Sequence, residues 1–314
     1  MAYSLSKINE AVRSDPLGFV QESDAAYERK IEAAARKIAD NLSRSHIVLL
    51  SGPSGSGKTT TAKKIEAKLK EMGINSHSVE MDNYFKTVDP ETAPRNREGQ
   101  LDYESPFCMD MDLLNRHFAA LDRGERILVP KFEFARQMRS DIKSQPLQLG
   151  KDEIAIFEGI HALNDIISGR NPDAAKVYIS ARSNVVDSDR QVVFKGTWMR
   201  LARRTVRDAK FRAWEPKVTM KMWASVRRGE KLYISPFKDN AGIVFDSSLP
   251  YEVSAIRPFA QPLFEHLRVS PEMERFEEVR QLAEAYPRFE ILDEKYVSLD
   301  SLIREFIGGG IYGE

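Results

Sequence analysis

The segment that most constrains this chain is Gly52 to Thr59, reading GPSGSGKT. Ile47, Val48, Leu49 and Leu50 form an apolar run just before it. Thr60 to Met72 follows, rich in Ala, Lys, Glu and Leu and free of Pro and Gly. The run predicts a buried strand and the later stretch a helix. Strand, glycine-rich loop and helix in that order aim backbone N–H groups and a helix N-terminus at one phosphate chain. The spacing fits G-x-x-x-x-G-K-[ST]. Gly52, Ser54, Gly55, Ser56, Gly57, Lys58, Thr59 and Thr60 are then the phosphate-binding set. Lys58 reaches the outer phosphates and the Thr59 hydroxyl holds Mg²⁺. Nucleotide binding follows; what the phosphate is used for does not.

With 314 residues, 42% hydrophobic and 30% charged, the chain has room for one large α/β domain with additions, or for two small domains. Its 47 basic and 47 acidic residues cancel, so bulk charge gives no argument for nucleic acid or an acidic membrane. A single cysteine, Cys108, excludes an intrachain disulfide and a cysteine-rich zinc site. No run approaches the roughly 20 apolar residues of a membrane span, and the N-terminus lacks the apolar core of a secretory signal. The expectation is a soluble, cytoplasmic protein.

Residues 1–45 read as a peripheral helical extension. Ala26, Ile31, Ala34, Ala35, Ile38 and Leu42 recur near a 3.6 period, with Ser23 or Asp24 as the cap. Ser76 to Met81 alternates like a second strand and delivers Asp82 at its carboxyl end, where ligands of parallel sheets gather. An Asp there can take a proton from a substrate hydroxyl or hold Mg²⁺ through water. Thr87 to Gly99 predicts a loop that covers substrate, and Met111 to Leu121 a helix. Arg126 to Phe134 predicts a strand, at an edge or bulge because of Pro130, and Met138 to Gly150 a polar hairpin or loop. Glu153 to Phe157 predicts a buried strand ending in Glu158, a second Mg²⁺ anchor; His161 beside it reads as structural. Lys176 to Ser180 is a further strand. Thr197 to Arg212 then sets Arg200, Arg203, Arg204 and Arg207 on one helical face, with Arg212 beyond. That face is solvated, or contacts RNA, or closes as a lid over a transferring phosphoryl group; the phosphate loop favours the lid. Val218 to Val226 predicts a helix, Ile243 to Phe245 a last strand, and residues 250–314 Pro-broken helices with a tail from Ser301 to Gly313.

Several of these stretches together resemble the uridine kinase and phosphoribulokinase family: GPSGSGKTT at 52–60, DNYF at 82–85, DYESP at 102–106, VPKFEF at 129–134, FEGIHALN at 157–164 and RRTVRD at 203–208. EKLYISPF at 230–237 and IREFIGG at 303–309 resemble a bacterial uridine-kinase-like branch. Members of that branch often carry an extra N-terminal domain akin to part of threonyl-tRNA synthetase; with only a short helical segment in its place, the expectation is that this domain is lacking. The resemblance implies a P-loop NTPase α/β fold: a mostly parallel sheet with helices on both faces, an arginine-bearing lid helix and helical terminal additions. Residues 1–45 would be the N-terminal extension, 46–250 the kinase domain, and 251–314 a C-terminal extension packed on it. It further implies phosphoryl transfer from ATP, with Mg²⁺, to a primary hydroxyl of a small molecule, and often an oligomer. Asp82 matches the catalytic base, Tyr84 an aromatic beside the nucleoside, and Arg204 the arginine that shares the ribose site. Glu104 stands in for an Asp on the ribose hydroxyls. Arg207 and Arg212 match lid arginines near the phosphates, and Glu158 the strand-end carboxylate. Phe132 and Gln137 stand where a Tyr and a base-touching His are usual, and Trp214 where a lid arginine is. The acceptor is therefore uridine or a related nucleoside, or else a pentose phosphate, pantothenate or glycerate. A nucleotide-binding regulatory module is the reading from another class.

Overall fold

The structure is a computed structural model that describes residues 2–269 and 275–312. Strand β1 (Ala2–Ser4) and helices α1 (Leu5–Ser14) and α2 (Pro16–Asn41) lead into β2 (Ile47–Ser51) and α3 (Lys58–Glu71). Next come β3 (Asn75–Glu80), α4 (Met111–Asp122), the pair β4 (Ile127–Glu133) and β5 (Met138–Leu147), β6 (Glu153–Glu158) and α5 (Asp165–Ser168). Then follow β7 (Ala175–Ser180), β8 (Asn184–Val186), β9 (Val192–Phe194), α6 (Gly196–Phe211), α7 (Pro216–Gly229) and β10 (Ile243–Asp246). Helices α8 (Glu252–Leu267), α9 (Phe276–Ala285) and α10 (Arg304–Ile307) end the described chain.

The central sheet has the order β10-β7-β2-β6-β3, parallel throughout. Its central strands β2 and β6 read as apolar runs because both of their faces are covered. Val48, Leu50, Ile154, Ile156, Val177 and Ile179 share one core with residues of α2, α3, α6 and α8. Ile47, Leu49, Ala155 and Phe157 share another with Leu114, Phe118 and Leu121 of α4. Period-2 alternation thus sends neighbouring residues of β2 and β6 to opposite helical layers. The carboxyl ends of β2, β3 and β6 deliver the phosphate loop, Asp82 and Glu158 to one edge, as the parallel arrangement requires.

Pro130 behaves as its chemistry predicts: β4 pairs antiparallel with β5 alone, and the register shifts between Pro130 and Phe132. The other arm, read as hairpin or loop, is strand β5. A small sheet of β1, β8 and β9 was not foreseen, since three-residue strands leave too short a pattern to read.

Two helix boundaries are corrected. The long N-terminal helix starts at Pro16, where Asp15 accepts a hydrogen bond from the Gly18 N–H at 2.9 Å. Asp24 is no cap; it lies in mid-helix and accepts from the hydroxyls of Tyr251 and Ser298. Helix α8 is not broken by Pro258 and Pro262. Pro258 cannot donate to the Ser254 carbonyl four residues earlier; the Leu292 N–H takes that carbonyl instead, at 3.1 Å. Gly313, the end of the predicted tail, lies outside the described residues.

Candidate functional site

The phosphate loop is fixed from outside by its carbonyls. Arg200 donates to Ser54 O, Arg203 to Gly55 O, and Ser247 Oγ to Ser56 O. In a planar trans peptide the N–H points away from the C=O. Anchoring these carbonyls therefore turns the amides of Gly55 and Gly57 toward the other side, where the helix opens. Gly57 sits at φ +78° as the N-cap of α3, a conformation that glycine adopts without strain. Ser56 Oγ is buried and has no hydrogen-bond partner among the described residues. An orphaned hydroxyl inside a ring of amides fits an anion cradle.

Lys58 and Thr59 open the first turn of α3, Lys58 half-buried and Thr59 exposed. Lys58 is felt electrostatically by both Asp82 and Glu158. Asp82 sits in the single turn after β3 and is open to solvent. The protein around it nonetheless raises its carboxyl above the usual range; Lys58 opposes the rise and Glu80 adds to it. Glu158 ends β6 and is raised likewise, by burial first, against Lys58, with the charges of Glu305, Asp82 and Glu80 adding to it. Carboxylates that repel one another around one lysine are poised for a cation. Thr59, Glu158 and Asp82 supply hard oxygen donors of the kind Mg²⁺ takes, an ion that keeps several waters and shares its shell with phosphates. Among the described residues no group of three His, Cys, Asp or Glu side chains could hold a metal unaided.

The arginine helix divides its labour. Arg203 is fully buried and makes a two-pronged ion pair with Glu252 at 2.6 and 2.7 Å. Arg200 is buried against Glu230, which also pairs with Arg227. Neither is a solvated cation or a mobile finger; both are struts that hold the loop. Arg204 donates to Ser54 Oγ at 2.9 Å and leans on buried Asp208 at 3.3 Å. Its charge acts on Glu104. Burial raises the Glu104 carboxyl, Arg204 opposes that, and the backbone of Gly229 packs against its side chain. Arg207 faces Glu305 at 3.5 Å. Arg212 is exposed, paired with Asp208 at 3.1 Å and stacked near Trp214.

On the acceptor side two expectations change. Tyr84 does not face the cleft: it is wholly buried, its hydroxyl bonded to His117 Nδ1 at 2.9 Å. An aromatic at the end of a strand turn is claimed by the core when a helix, here α4, packs over it. Phe132 is nearly buried as well, in an edge-to-face trio with Phe85 and Phe134. Phe134 is the member that meets solvent, 60% exposed. Gln137 is exposed at φ +51° in the turn between β4 and β5. His161 is buried, which pushes its imidazole down to about 4, and it lies edge-on near Tyr233. Cys108 donates to Asp102 O, and burial pushes its thiol up to about 11.

Sequence reasoning missed Asp102, which is buried and accepts from Arg228 at 2.7 Å and Tyr233 at 2.8 Å. It fixes the segment that carries Glu104, whose own N–H it accepts. Arg228 lies 126 residues away, so no local pattern could announce the pair. Glu305 was missed for the same reason.

Residues 47–254 match the model of the family described as Phosphoribulokinase / Uridine kinase family. Uridine kinases of Staphylococcus aureus, strains JH9 and Newman, are each 30% identical over 202 residues, covering 63% of this chain and 86% of the relative. A solved structure described as a possible uridine kinase from Bacillus stearothermophilus overlaps 64% of this chain and 88% of its own, with 18% identity and a TM-score of 0.39. D-glycerate 3-kinase from Cryptococcus neoformans overlaps 85% and 89%, with 13% identity and a TM-score of 0.37. Loop, strand-end carboxylates and arginine helix stand in the order that the family match spans, and the chain belongs to the phosphoribulokinase / uridine kinase family, a family of small-molecule kinases.

Proposed function

We propose that the chain transfers the γ-phosphoryl group of ATP to a primary hydroxyl of a small acceptor, the 5′-hydroxyl of uridine or a related nucleoside. The observation that carries this reading is the convergence on Lys58, whose charge reaches both Asp82 and Glu158 from the phosphate loop. Lys58 and the loop amides from Gly55 onward hold the donor phosphates. Asp82 accepts the hydroxyl proton, and its raised proton affinity makes it a stronger base than an ordinary aspartate. Glu104 and Arg204 orient the acceptor's hydroxyls. Thr59 and Glu158, with Asp82 through water, would hold Mg²⁺, which when bound would offset charge on the phosphoryl oxygens. Positioning and charge stabilisation supply most of the rate, as is general for this transfer. Arg207 contributes to that stabilisation, and Arg212 borders the donor side.

The alternative acceptors rest on the aromatic trio. Phe85, Phe132 and Phe134 with Gln137 offer an apolar wall and one amide, and a pocket short of hydrogen-bonding groups discriminates weakly. A panel of nucleosides, pentose phosphates, pantothenate and glycerate, scored by acceptor-dependent ADP release, tests the reading. Uridine or cytidine should give the highest kcat/KM. A larger value for glycerate or pantothenate refutes the nucleoside assignment, and ADP release that no acceptor stimulates refutes the kinase reading.

A further inference from the structure

The phosphate cradle already holds a carboxylate. Thr60 is the third residue of α3, where the backbone N–H has no partner within the helix. That N–H donates to Glu305 Oε2 at 3.3 Å, and the Thr60 hydroxyl donates to the same oxygen at 2.7 Å. The second oxygen, Oε1, faces Arg207 at 3.5 Å. The Glu305 side chain is only 7% exposed. One oxygen on a helix amide and hydroxyl, the other toward an arginine, is the donor set a phosphate group would use.

The segment that brings Glu305 there is firmly seated. Leu302 packs against Gly57 of the loop. Phe306 lies under the guanidinium groups of Arg203 and Arg207, at 5.3 and 5.7 Å. The Ile307 carbonyl accepts from Lys210 and the Tyr312 carbonyl from Lys63. Leu302, Ile303, Phe306 and Ile307 are all essentially buried. Withdrawing the whole segment would return those four side chains to water. Among the described residues, rotating Glu305 about its own χ angles gives up the Thr60 and Arg207 contacts. The Glu305 charge also reaches across the site, where it adds to the proton affinity of Glu158.

We propose that Glu305 occupies part of the phosphate cradle in the nucleotide-free chain and competes with the donor, so that this C-terminal residue sets nucleotide affinity. The inference rests on the reading of the loop as the donor site. Seating a nucleoside triphosphate requires Glu305 to release Thr60, because the incoming phosphate needs the same amide and hydroxyl and carries the same sign of charge.

Direct titration with a non-hydrolysable ATP analogue and Mg²⁺, without acceptor, tests this on the full chain and on E305Q and E305A. E305Q keeps size and shape and removes only the charge. Both variants should bind about tenfold more tightly, the scale of one charge-assisted hydrogen bond lost by the competitor. The KM for ATP should fall with them while the KM for acceptor stays level. Unchanged or weaker binding in E305Q, with its circular dichroism spectrum unchanged, overturns the proposal and makes Glu305 a support for Thr60. If the parent chain binds no analogue at millimolar concentration and neither variant does, the donor-site reading fails, and the inference with it. Should E305A unfold, E305Q and Glu305→Asp decide, since the shorter Asp withdraws the charge from Thr60 while keeping it.

Discussion

At Asp82, proton affinity is a balance of the surrounding protein and Glu80 against Lys58. A base works deprotonated, so activity should fall as pH drops through the raised Asp82 value rather than through the ordinary aspartate range. Glu80 is exposed, and its charge can be removed at little cost to folding. Glu80→Gln should lower the Asp82 value and move the acid limb of the kcat/KM profile to lower pH; a pH–rate series on the variant checks the direction. Asp82→Asn should leave nucleotide affinity within about twofold and lower turnover by roughly 10²- to 10⁴-fold, the usual worth of a general base; full turnover in that variant would remove Asp82 from the role. The type and position of Asp82 were legible because a carboxylate at the carboxyl end of an alternating strand, downstream of the loop, has few other uses. The fate of Tyr84, two residues on, was not, because whether an aromatic faces cleft or core is settled by α4, a helix 27 residues later that packs over it.

At the scale of the element, α6 shows how a pattern can be read correctly and its meaning missed. Spacing places Arg200, Arg203, Arg204 and Arg207 along one helix, and they are there. Their partners Glu230 and Glu252 lie 30 and 49 residues downstream, and no periodicity announces them. Paired and buried, Arg200 and Arg203 become parts of the loop's scaffold. Removing one partner of a buried ion pair strands the other charge, at a cost of about 3–5 kcal/mol. Glu252→Gln should therefore lower the unfolding free energy by that order, read from urea or guanidinium midpoints. The double change Arg203→Met with Glu252→Leu should recover much of the loss, while nucleotide binding stays weak because Gly55 O has lost its donor.

For the whole molecule, the terminal segments and the sheet share one core. Tyr251 joins Asp24 of α2 to Ser301 near the C-terminus, and Ile31, Leu201, Phe264 and Phe306 belong to the same apolar cluster. The sheet and its flanking helices were legible from apolar runs and the loop; this joining was not, because it depends on contacts more than 200 residues apart. One pH signature belongs to this scale. His161 is held neutral by burial, with a folded value of about 4 against an ordinary 6.5. Between those values the unfolded chain binds the proton and the folded chain does not. Stability is thus complete above about pH 6.5 and declines as pH falls toward 4, by an amount on the order of 3 kcal/mol. Denaturation midpoints across that window should flatten in His161→Gln.

The proline inside α8 has one more effect, visible to hydrogen exchange. Pro258 leaves the Ser254 carbonyl to the N–H of Leu292, a residue outside any helix or strand. Both residues are essentially inaccessible to solvent. Amides of irregular segments usually exchange early, through local openings. The Leu292 amide should instead exchange with the slowest amides of the central sheet, because water reaches it only when α8 itself lets go. In Pro258→Ala the helix regains its own donor for Ser254, and the protection at Leu292 should drop while the rest of α8 keeps its rate.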